Sequence, residues 1–229
     1  MTAAVTRLLL LATVLVGLSG CSQLLYRQTC VALAKDVSYC LAPLPLNQAA
    51  PKGQTSDTKA AKDAKQPDEP QGSDSVQAQT LEQTLSLSQQ VRLQRGEQSH
   101  ELISQLELQP QPQQMTVVGL APLGQALFTL IYDGHTLTSE QSVLLGNEFK
   151  AEYLLALLQL IYWPEEKLNA YLDGARVKLE DCAAVLCRVL LSNDNRELIR
   201  ISYSSPDIWH AEVAMNMPQA DLKLNIKPL

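Results

Sequence analysis

Apolar and polar residues alternate through much of the chain, and a stretch with helical spacing interrupts the alternation. In residues 100–109, HELISQLELQ, three leucines lie on one face and polar residues occupy most of the other. A period of two is typical of a half-buried antiparallel strand. Arg-Gly-Glu at 95–97 and Asp-Gly at 133–134 predict hairpin turns in the same region. These residues therefore predict a meander of antiparallel strands.

Over residues 149–163, FKAEYLLALLQLIYW, apolar positions recur every three or four residues, which predicts a helix. A second, short helix is predicted from Pro164 to Gly174, since proline suits a first helical turn and glycine a helix end. Alternating strands return from Ala175 onward. This order predicts an α+β fold, a mainly antiparallel curved sheet with about two helices packed on one face. The expected apolar faces are Tyr153, Leu154, Leu157, Leu158 and Ile161 in the first helix, and Leu168, Tyr171 and Leu172 in the second.

The N terminus has the features of a secretory signal peptide over residues 1–20. Arg7 is the one charged residue before an apolar run at residues 8–18. This run is too short to span a bilayer as a permanent helix. No later segment has 18 uncharged apolar residues in a row. The sequence therefore predicts a protein that is exported and does not span the membrane.

Residues 18–21, Leu-Ser-Gly-Cys, match the processing box of bacterial lipoproteins, which predicts lipidation of Cys21. An ordinary signal peptide cut near Gly20 is the alternative. Aspartate after the lipidated cysteine retains lipoproteins in the inner membrane, and this chain has Ser22 there. Two or three acyl chains on one residue anchor stably. We therefore expect a lipid-anchored protein on the periplasmic face of the outer membrane.

Residues 47–80 differ abruptly from the rest of the chain. They contain no aromatic residue and one aliphatic residue larger than alanine, Val76. Such a segment cannot bury enough apolar surface to offset its ordering entropy, so a disordered linker or insertion is predicted. It serves either as a tether or as a tolerated surface loop. Residues 21–46 would hold the lipidated N terminus and a first strand, and residues 81–229 the folded domain.

Four cysteines follow Cys21, in a compartment that is predicted to be oxidising. Four cysteines allow three pairings. The simplest pairings are local, Cys30 with Cys40 and Cys182 with Cys187. Free buried cysteines are the alternative, whereas a metal site is disfavoured because neither pair has a two-residue gap and the histidines are scattered.

The sequence contains none of the common catalytic motifs. Glu165 and Glu166 are adjacent at a predicted helix start, where acidic residues favour the helix dipole rather than acid–base catalysis. A formal charge of −6 without a basic cluster argues against nucleic-acid binding. We therefore expect no enzymatic activity, no cofactor and no metal. A curved sheet covered by two helices favours an apolar cleft, with a fully packed core as the alternative.

Two stretches resemble a known family. GLAPLGQ, residues 119–125, resembles the L-x-x-P-L-G segment of the receptor that completes bacterial lipoprotein sorting. Residues 154–174 resemble that family's proline followed by L-x-x-W-L-x-G, with Tyr171 in place of tryptophan. The match is closer still to a family of bacterial outer-membrane lipoproteins related to the carrier and receptor proteins. The resemblance covers residues 80–229 and the N-terminal lipid signal.

The resemblance implies an unclosed half-barrel, capped by helices, whose apolar cavity takes an acyl chain, a lipoprotein or another lipid-like cargo. A periplasmic carrier protein is an implied partner. The matching leucine of the receptor protrudes into the membrane, which implies membrane contact for Leu123. The alternative is a structural or assembly lipoprotein that binds another envelope protein without lipid cargo. The residues expected to face the cargo are Leu154, Leu158, Ile161, Leu168 and Leu172.

Overall fold

The computed structural model describes residues 28–45, 84–145 and 149–229. Within these ranges the helices are α1 (Ala151–Tyr162) and α2 (Glu165–Asn169), with 3-10 turns at Val143–Leu145 and Pro218–Ala220. The strands are β1 (Cys30–Ala34), β2 (Val37–Cys40), β3 (Leu85–Arg95), β4 (Gln98–Pro110), β5 (Gln113–Leu120), β6 (Ala126–Tyr132), β7 (Leu137–Gln141), β8 (Leu172–Asp173), β9 (Ala175–Glu180), β10 (Leu186–Ser192), β11 (Glu197–Tyr203), β12 (Val213–Met217) and β13 (Leu222–Pro228).

Ten of these strands form one antiparallel sheet in the order β7-β6-β5-β4-β3-β13-β12-β11-β10-β9. The edges, β7 and β9, do not pair with each other, so the sheet is unclosed. Consecutive turns alternate between the two ends of an antiparallel sheet. We call the end with the β3–β4 and β5–β6 turns the tip end, and the end with the β4–β5 and β6–β7 turns the base end. An antiparallel, unclosed sheet with two helices confirms the predicted α+β class.

Alternation along each strand decides which side chains face the core. In β4, Leu106 and Leu108 are buried, whereas Gln105 on the opposite face is exposed and Glu107 half-buried, as the period of two predicted. The strands β12 and β13 alternate in the same way. Because successive side chains point to opposite faces, one face of the sheet is almost wholly apolar.

Helix α1 lies between this sheet and a second, three-stranded sheet of order β1-β2-β8. Every residue from Leu155 to Tyr162 is buried. A helix that is buried on all sides needs a packing partner on each of them. The pattern predicted one apolar face, whereas the small sheet also covers the face turned away from the large one.

The small sheet is built mainly from the N-terminal segment. The expected first strand is β2, and β1 precedes it as the other half of a hairpin. Cys30 lies opposite Cys40 in this hairpin, and the two form a disulfide. Cys182 and Cys187 form a second disulfide at the start of β10. Both local pairings are therefore confirmed.

The prediction for the second helix was wrong at its C-terminal end. Helix α2 ends at Asn169, and Leu172 belongs to β8, where it pairs with Tyr39. Gly174 does not end a helix but links β8 in the small sheet to β9 in the large one. Its φ is +76°, and a Cβ there would lie 2.0 Å from the carbonyl oxygen of Asp36. Glycine is therefore required by both backbone conformation and space.

Candidate functional site

The β5–β6 turn, residues 121–125, presents Leu123 at the tip end; we call it the tip turn. Ala121 donates its N–H to the carbonyl of Gln125 and accepts from the N–H of Gly124, both at 2.8 Å. Leu123 is 99% exposed, more than any other large apolar side chain of the described residues. The turn carries no charge. Contact with another apolar surface removes such a side chain from water and lowers the free energy.

Aromatic packing holds the base of the tip turn. Phe128 in β6 lies opposite Gly119 in β5, and a Cβ on Gly119 would be 2.2 Å from the phenyl ring. Phe128 also stacks on Phe149, with ring centroids 4.9 Å apart. Because Phe149 lies two residues before α1, the tip turn and the start of the helix share one aromatic cluster.

A buried amide fastens α1 to the N-terminal segment. Tyr39 donates its hydroxyl to Oε1 of Gln159 at 2.7 Å, and the N–H of Ala42 donates to the same oxygen at 2.8 Å. Nε2 of Gln159 donates to the carbonyl of Ala42 at 3.0 Å. Since all three residues are fully buried, each bond satisfies a group that water cannot reach.

Arg188 in β10 holds the C-terminal end of α1. Its Nη1 donates to the carbonyls of Leu160 at 2.6 Å and Ile161 at 3.0 Å, and the hydroxyl of Tyr203 donates to Ile161 at 2.7 Å. Arg188 is buried and takes part in none of the ion pairs of the described residues. The partial negative charge of the helix end stabilises this cation instead.

The residues at the end of α1 also contact both sheets. Tyr162 accepts a hydrogen bond from Nε2 of Gln89 in the large sheet at 2.8 Å and stacks on Trp209 at 4.7 Å between centroids. On the other side, Nε1 of Trp163 donates to the carbonyl of Pro43 at 2.9 Å. Oε1 of Gln89 is buried without a hydrogen-bond partner. The C-terminal half of α1 is therefore fixed by polar as well as apolar contacts.

Buried tyrosines supply several of these hydrogen bonds. Burial raises the pKa of Tyr162 to about 12, because the low-dielectric surroundings disfavour the phenolate. Burial also raises the pKa of Tyr39, Tyr132 and Tyr203. The hydroxyls therefore stay protonated at neutral pH, and those of Tyr39, Tyr132 and Tyr203 act as structural donors.

The start of α1 differs from its C-terminal half in the contacts that hold it. Lys150 before the helix makes no side-chain cap, and the Tyr153 hydroxyl lies 3.8 Å from the sulfur of Met217, a weak contact. Tyr153 and Leu154 are half-buried. Apolar residues near the tip end of the large sheet, such as Leu93 and Leu102, are likewise only partly covered. Apolar contacts dominate at this end of the helix.

All five residues that were expected to face cargo lie in the hydrophobic core or pack against it. Leu158, Ile161 and Leu168 are buried, and Leu154 and Leu172 are half-buried. Their contact with cargo stays a prediction, as does the contact of Leu123 with a membrane.

Two cavities lie elsewhere in the molecule. One, of about 200 Å³, is at the base end between Gln28, Tyr132 and His135. The other, of about 340 Å³, lies between the disulfide loop at 183–185 and strands β11 to β13. None of the five expected cargo residues lines either cavity. Small-molecule sites typically occupy 300–1,000 Å³, a range that the second cavity reaches and the first does not.

Further predictions concern the membrane and metals. Cys21, the predicted signal peptide and residues 47–80 lie outside the described residues. Within the described ranges no helix is long and apolar enough to cross a membrane. The same ranges hold no group of three or more His, Cys, Asp or Glu side chains placed to bind a metal ion.

Sequence reasoning missed two of the side chains that organise the core, Gln159 and Arg188. Each interrupts an apolar run, in LLALLQLIY and VLCRVLL. A polar side chain inside such a run is buried and must find a partner. That signal was present in the sequence, but the partners come from 15 or more residues away and no local pattern identifies them.

Fold and site together define an α+β protein in which an unclosed antiparallel sheet packs on a buried helix and presents an uncharged apolar turn. The chain belongs to the family described as a protein of unknown function, DUF3261, whose profile matches residues 86–229. The matched region includes the tip turn, α1 and nearly all of the large sheet. No curated protein matches the chain.

Proposed function

We propose that this protein is a non-enzymatic lipoprotein, anchored through Cys21 to the periplasmic face of the outer membrane. It binds an acyl chain, a lipoprotein or another lipid-like cargo and helps to transfer or localise it. Residues 119–125 and 154–174 resemble motifs of the receptor of lipoprotein sorting, and this sequence resemblance supports a cargo of that kind. The observation that carries the proposal is the full exposure of Leu123 on an uncharged turn.

The exposure of Leu123 separates two interpretations of the same uncharged sequence. A buried corner of the sheet and a protruding tip both lack charge, but a buried corner would cover Leu123. Moving a leucine side chain from water into hydrocarbon is favourable by about 2 kcal/mol. Leu123 supplies this contact without rearrangement of the core, because Gly119 and Phe128 fix the strands behind the turn.

The two ends of α1 suggest where cargo enters. Buried hydrogen bonds from Gln159, Arg188 and Tyr203 hold the C-terminal half. The start is held mainly by apolar contacts and lies at the tip end, close to the aromatic cluster of Phe128 and Phe149. An acyl chain entering beneath it would meet half-buried Leu154 first and would break no buried hydrogen bond of the described network.

The test uses the mature chain with Cys21→Ser, so that bound amphiphile is distinguished from the covalent anchor. We expect mass spectrometry of a solvent extract to find a bound amphiphile, and the protein to take up a fluorescent fatty acid. Leu154→Asp should reduce uptake, whereas Leu179→Asp, on β9 and already 39% exposed, is the matched control. Leu123→Glu should retain uptake and lose delivery to vesicles. No bound amphiphile together with no uptake would overturn the proposal.

A structural or assembly lipoprotein is the second candidate, and the packing of the core favours it. Three of the five expected cargo residues are already buried, and the two cavities lie away from them. This candidate predicts co-purification of one envelope protein at a fixed ratio with no amphiphile. It also predicts that Leu154→Asp and Leu179→Asp leave that ratio unchanged.

A further inference from the structure

A second apolar projection lies beside the tip turn. The 3-10 turn Val143–Leu145 follows β7, and we call it the second tip. Val143 is 93% exposed and Leu144 65% exposed. Five large apolar side chains of the described residues are more than three-fifths exposed, and three of them belong to the two tips. The other two, Val185 and Leu229, lie at the base end.

Strand register places the two tips next to each other. Gln141 at the end of β7 pairs with Phe128 in β6, and the N–H of Ser142 donates to the carbonyl of Leu127 at 2.7 Å. Val143 therefore leaves the sheet beside the residues that lead out of the tip turn. Neighbouring strands lie about 4.8 Å apart, so the two projections start from adjacent positions on the same end.

The second tip is held in its shape. Ser142 accepts from the N–H of Leu145 through its carbonyl at 3.1 Å and from the N–H of Leu144 through its hydroxyl at 3.3 Å. Leu145 is partly buried and packs against the core. Because Leu145 anchors one end and Ser142 the other, Val143 and Leu144 remain outside the core while the turn stays ordered.

We infer that Val143 and Leu144 form a second membrane contact, and that the two tips enter one lipid surface together. This inference rests on the proposed function, whose membrane contact it extends. A lipid surface suits separate convex projections, since it requires no complementary shape. Apart from its chain neighbours, nothing among the described residues lies within 4 Å of a Cβ added at Gly124, so the tip turn projects clear of the sheet there.

Charge indicates the kind of lipid surface. Residues 119–128 and 141–145 contain no charged side chain. Binding through anionic lipid headgroups requires clusters of lysine or arginine, and neither tip supplies one. The two tips therefore fit a zwitterionic surface, and the contact should change little with salt concentration, because salt screens charge and leaves apolar contacts in place.

The test places tryptophan at each tip of the mature chain, purified with its anchor and reconstituted into phosphatidylcholine vesicles brominated on the acyl chains. The variants are Leu123→Trp, Val143→Trp and, as a base-end control, Val185→Trp. Trp163 and Trp209 are buried, so bromolipid does not reach them and their fluorescence is a constant background. We expect bromolipid to quench the added fluorescence at both tips by about twofold or more and to spare Val185→Trp, because only residues within the hydrocarbon meet bromine.

The outcomes separate the two proposals. Quenching of Leu123→Trp without quenching of Val143→Trp would overturn the second contact and leave the proposed function intact. Absence of quenching at both tips would overturn the membrane contact of the proposed function as well. In the Leu123→Trp chain, Val143→Glu should halve the quenching or more, whereas Val143→Leu should preserve it. Equal quenching with Glu and Leu at position 143 would also overturn the inference.

Discussion

At the scale of single residues, the two glycines of the GLAPLG motif have different physical roles. Gly124 has φ +84° and open space around its Cα, so the backbone alone requires glycine there. Gly119 is required by space, because the Phe128 ring occupies the position of a side chain. The first glycine therefore fixes the packing behind the tip turn, and the second shapes the turn itself.

We expect Gly119→Ala to lower the free energy of unfolding by about 2–3 kcal/mol, because the added methyl forces Phe128 out of its stack with Phe149. Gly124→Ala should cost about 1 kcal/mol, through the backbone alone. Urea unfolding with the disulfides intact measures both changes.

A double-mutant cycle identifies the cause. Phe128→Leu removes the ring that Gly119→Ala would meet, so the double variant should be more stable than the sum of the single changes predicts. Gly124→Ala is the control, since no side chain faces it and its cost should add to that of Phe128→Leu. Strict additivity for Gly119 and Phe128 would contradict the packing role assigned to Gly119.

At the scale of elements, α1 is the link between the two sheets, and Gln159 is its main polar attachment to the small one. Gln159→Leu should lower the free energy of unfolding by about 3 kcal/mol, because it leaves the Tyr39 hydroxyl and the N–H of Ala42 buried without partners. The carbonyl of Ala42 keeps the hydrogen bond from the Tyr132 hydroxyl at 3.2 Å. Thermal or urea unfolding followed by far-ultraviolet circular dichroism measures the loss.

The matched control is Leu158→Met on the same helix, which keeps volume and apolar character and should cost less than about 1.5 kcal/mol. A loss in Gln159→Leu no greater than in Leu158→Met would show that the amide does not fasten the helix. Gln159→Glu separates shape from charge, since a buried carboxylate facing the Ala42 carbonyl should destabilise the fold at neutral pH and less so in acid.

Local patterns predicted the elements whose residues lie close together in the chain. The alternation around Leu106, the hairpin turn at Gly96 and both disulfides follow from neighbours and their spacing. The pairing of Tyr39 with Leu172 and the contact of Arg188 with the end of α1 join distant residues. Such partners leave no periodic signal, which explains why the small sheet was missed and α2 was extended.

For the candidate site, too, local sequence predicted one part and contacts between distant residues decided the rest. An uncharged turn around Leu123 was visible as a sequence feature, but its two meanings, buried or protruding, differ only in tertiary structure. The second tip shows the limit more clearly, because Val143 and Leu144 read as ordinary apolar residues after a strand. Their significance comes from the strand register that places them beside the tip turn.

At the scale of the whole molecule, the buried tyrosines couple stability to alkaline pH. The pKa of Tyr162 rises from 10.0 to about 12 on folding. A raised pKa means that the folded state holds its proton more tightly, so this contribution to stability is fully present below pH 10 and is lost as the pH rises toward 12. Tyr39, Tyr132 and Tyr203 shift in the same direction.

We therefore expect the free energy of unfolding to fall steeply between about pH 10 and 12, with phenolate absorbance from these tyrosines appearing together with unfolding. Tyr162→Phe should make the fall of the unfolding free energy with pH less steep, because it removes one linked proton. Tyr153→Phe, at a half-buried residue, should have a smaller effect. Phenolate absorbance from all seven tyrosines before any loss of circular dichroism would contradict the linkage.

The positions of the two ends of the molecule constrain the orientation that the proposed membrane contact would require. Gln28 lies at the base end, beside Tyr132 and His135, whereas Leu123 lies at the tip end. The chain from Cys21 to Gln28 reaches at most about 25 Å. Strand β6, which joins the two ends, is about 20 Å long. Under the proposed function, the anchor and both tips therefore reach one bilayer when the tips point into it and residues 21–28 extend back along the molecule. They do not when the molecule stands upright with its base end on the bilayer.

We expect the lipid-anchored Leu123→Trp chain to be quenched by bromolipid in its own vesicle and not by bromolipid confined to added vesicles. Deleting residues 23–26 shortens the reach by about 13 Å and should abolish most of this quenching, whereas replacing the same residues by Gly-Ser repeats of equal length should preserve it. Quenching by the added vesicles alone would show that the protein stands upright and presents its tips to a second membrane.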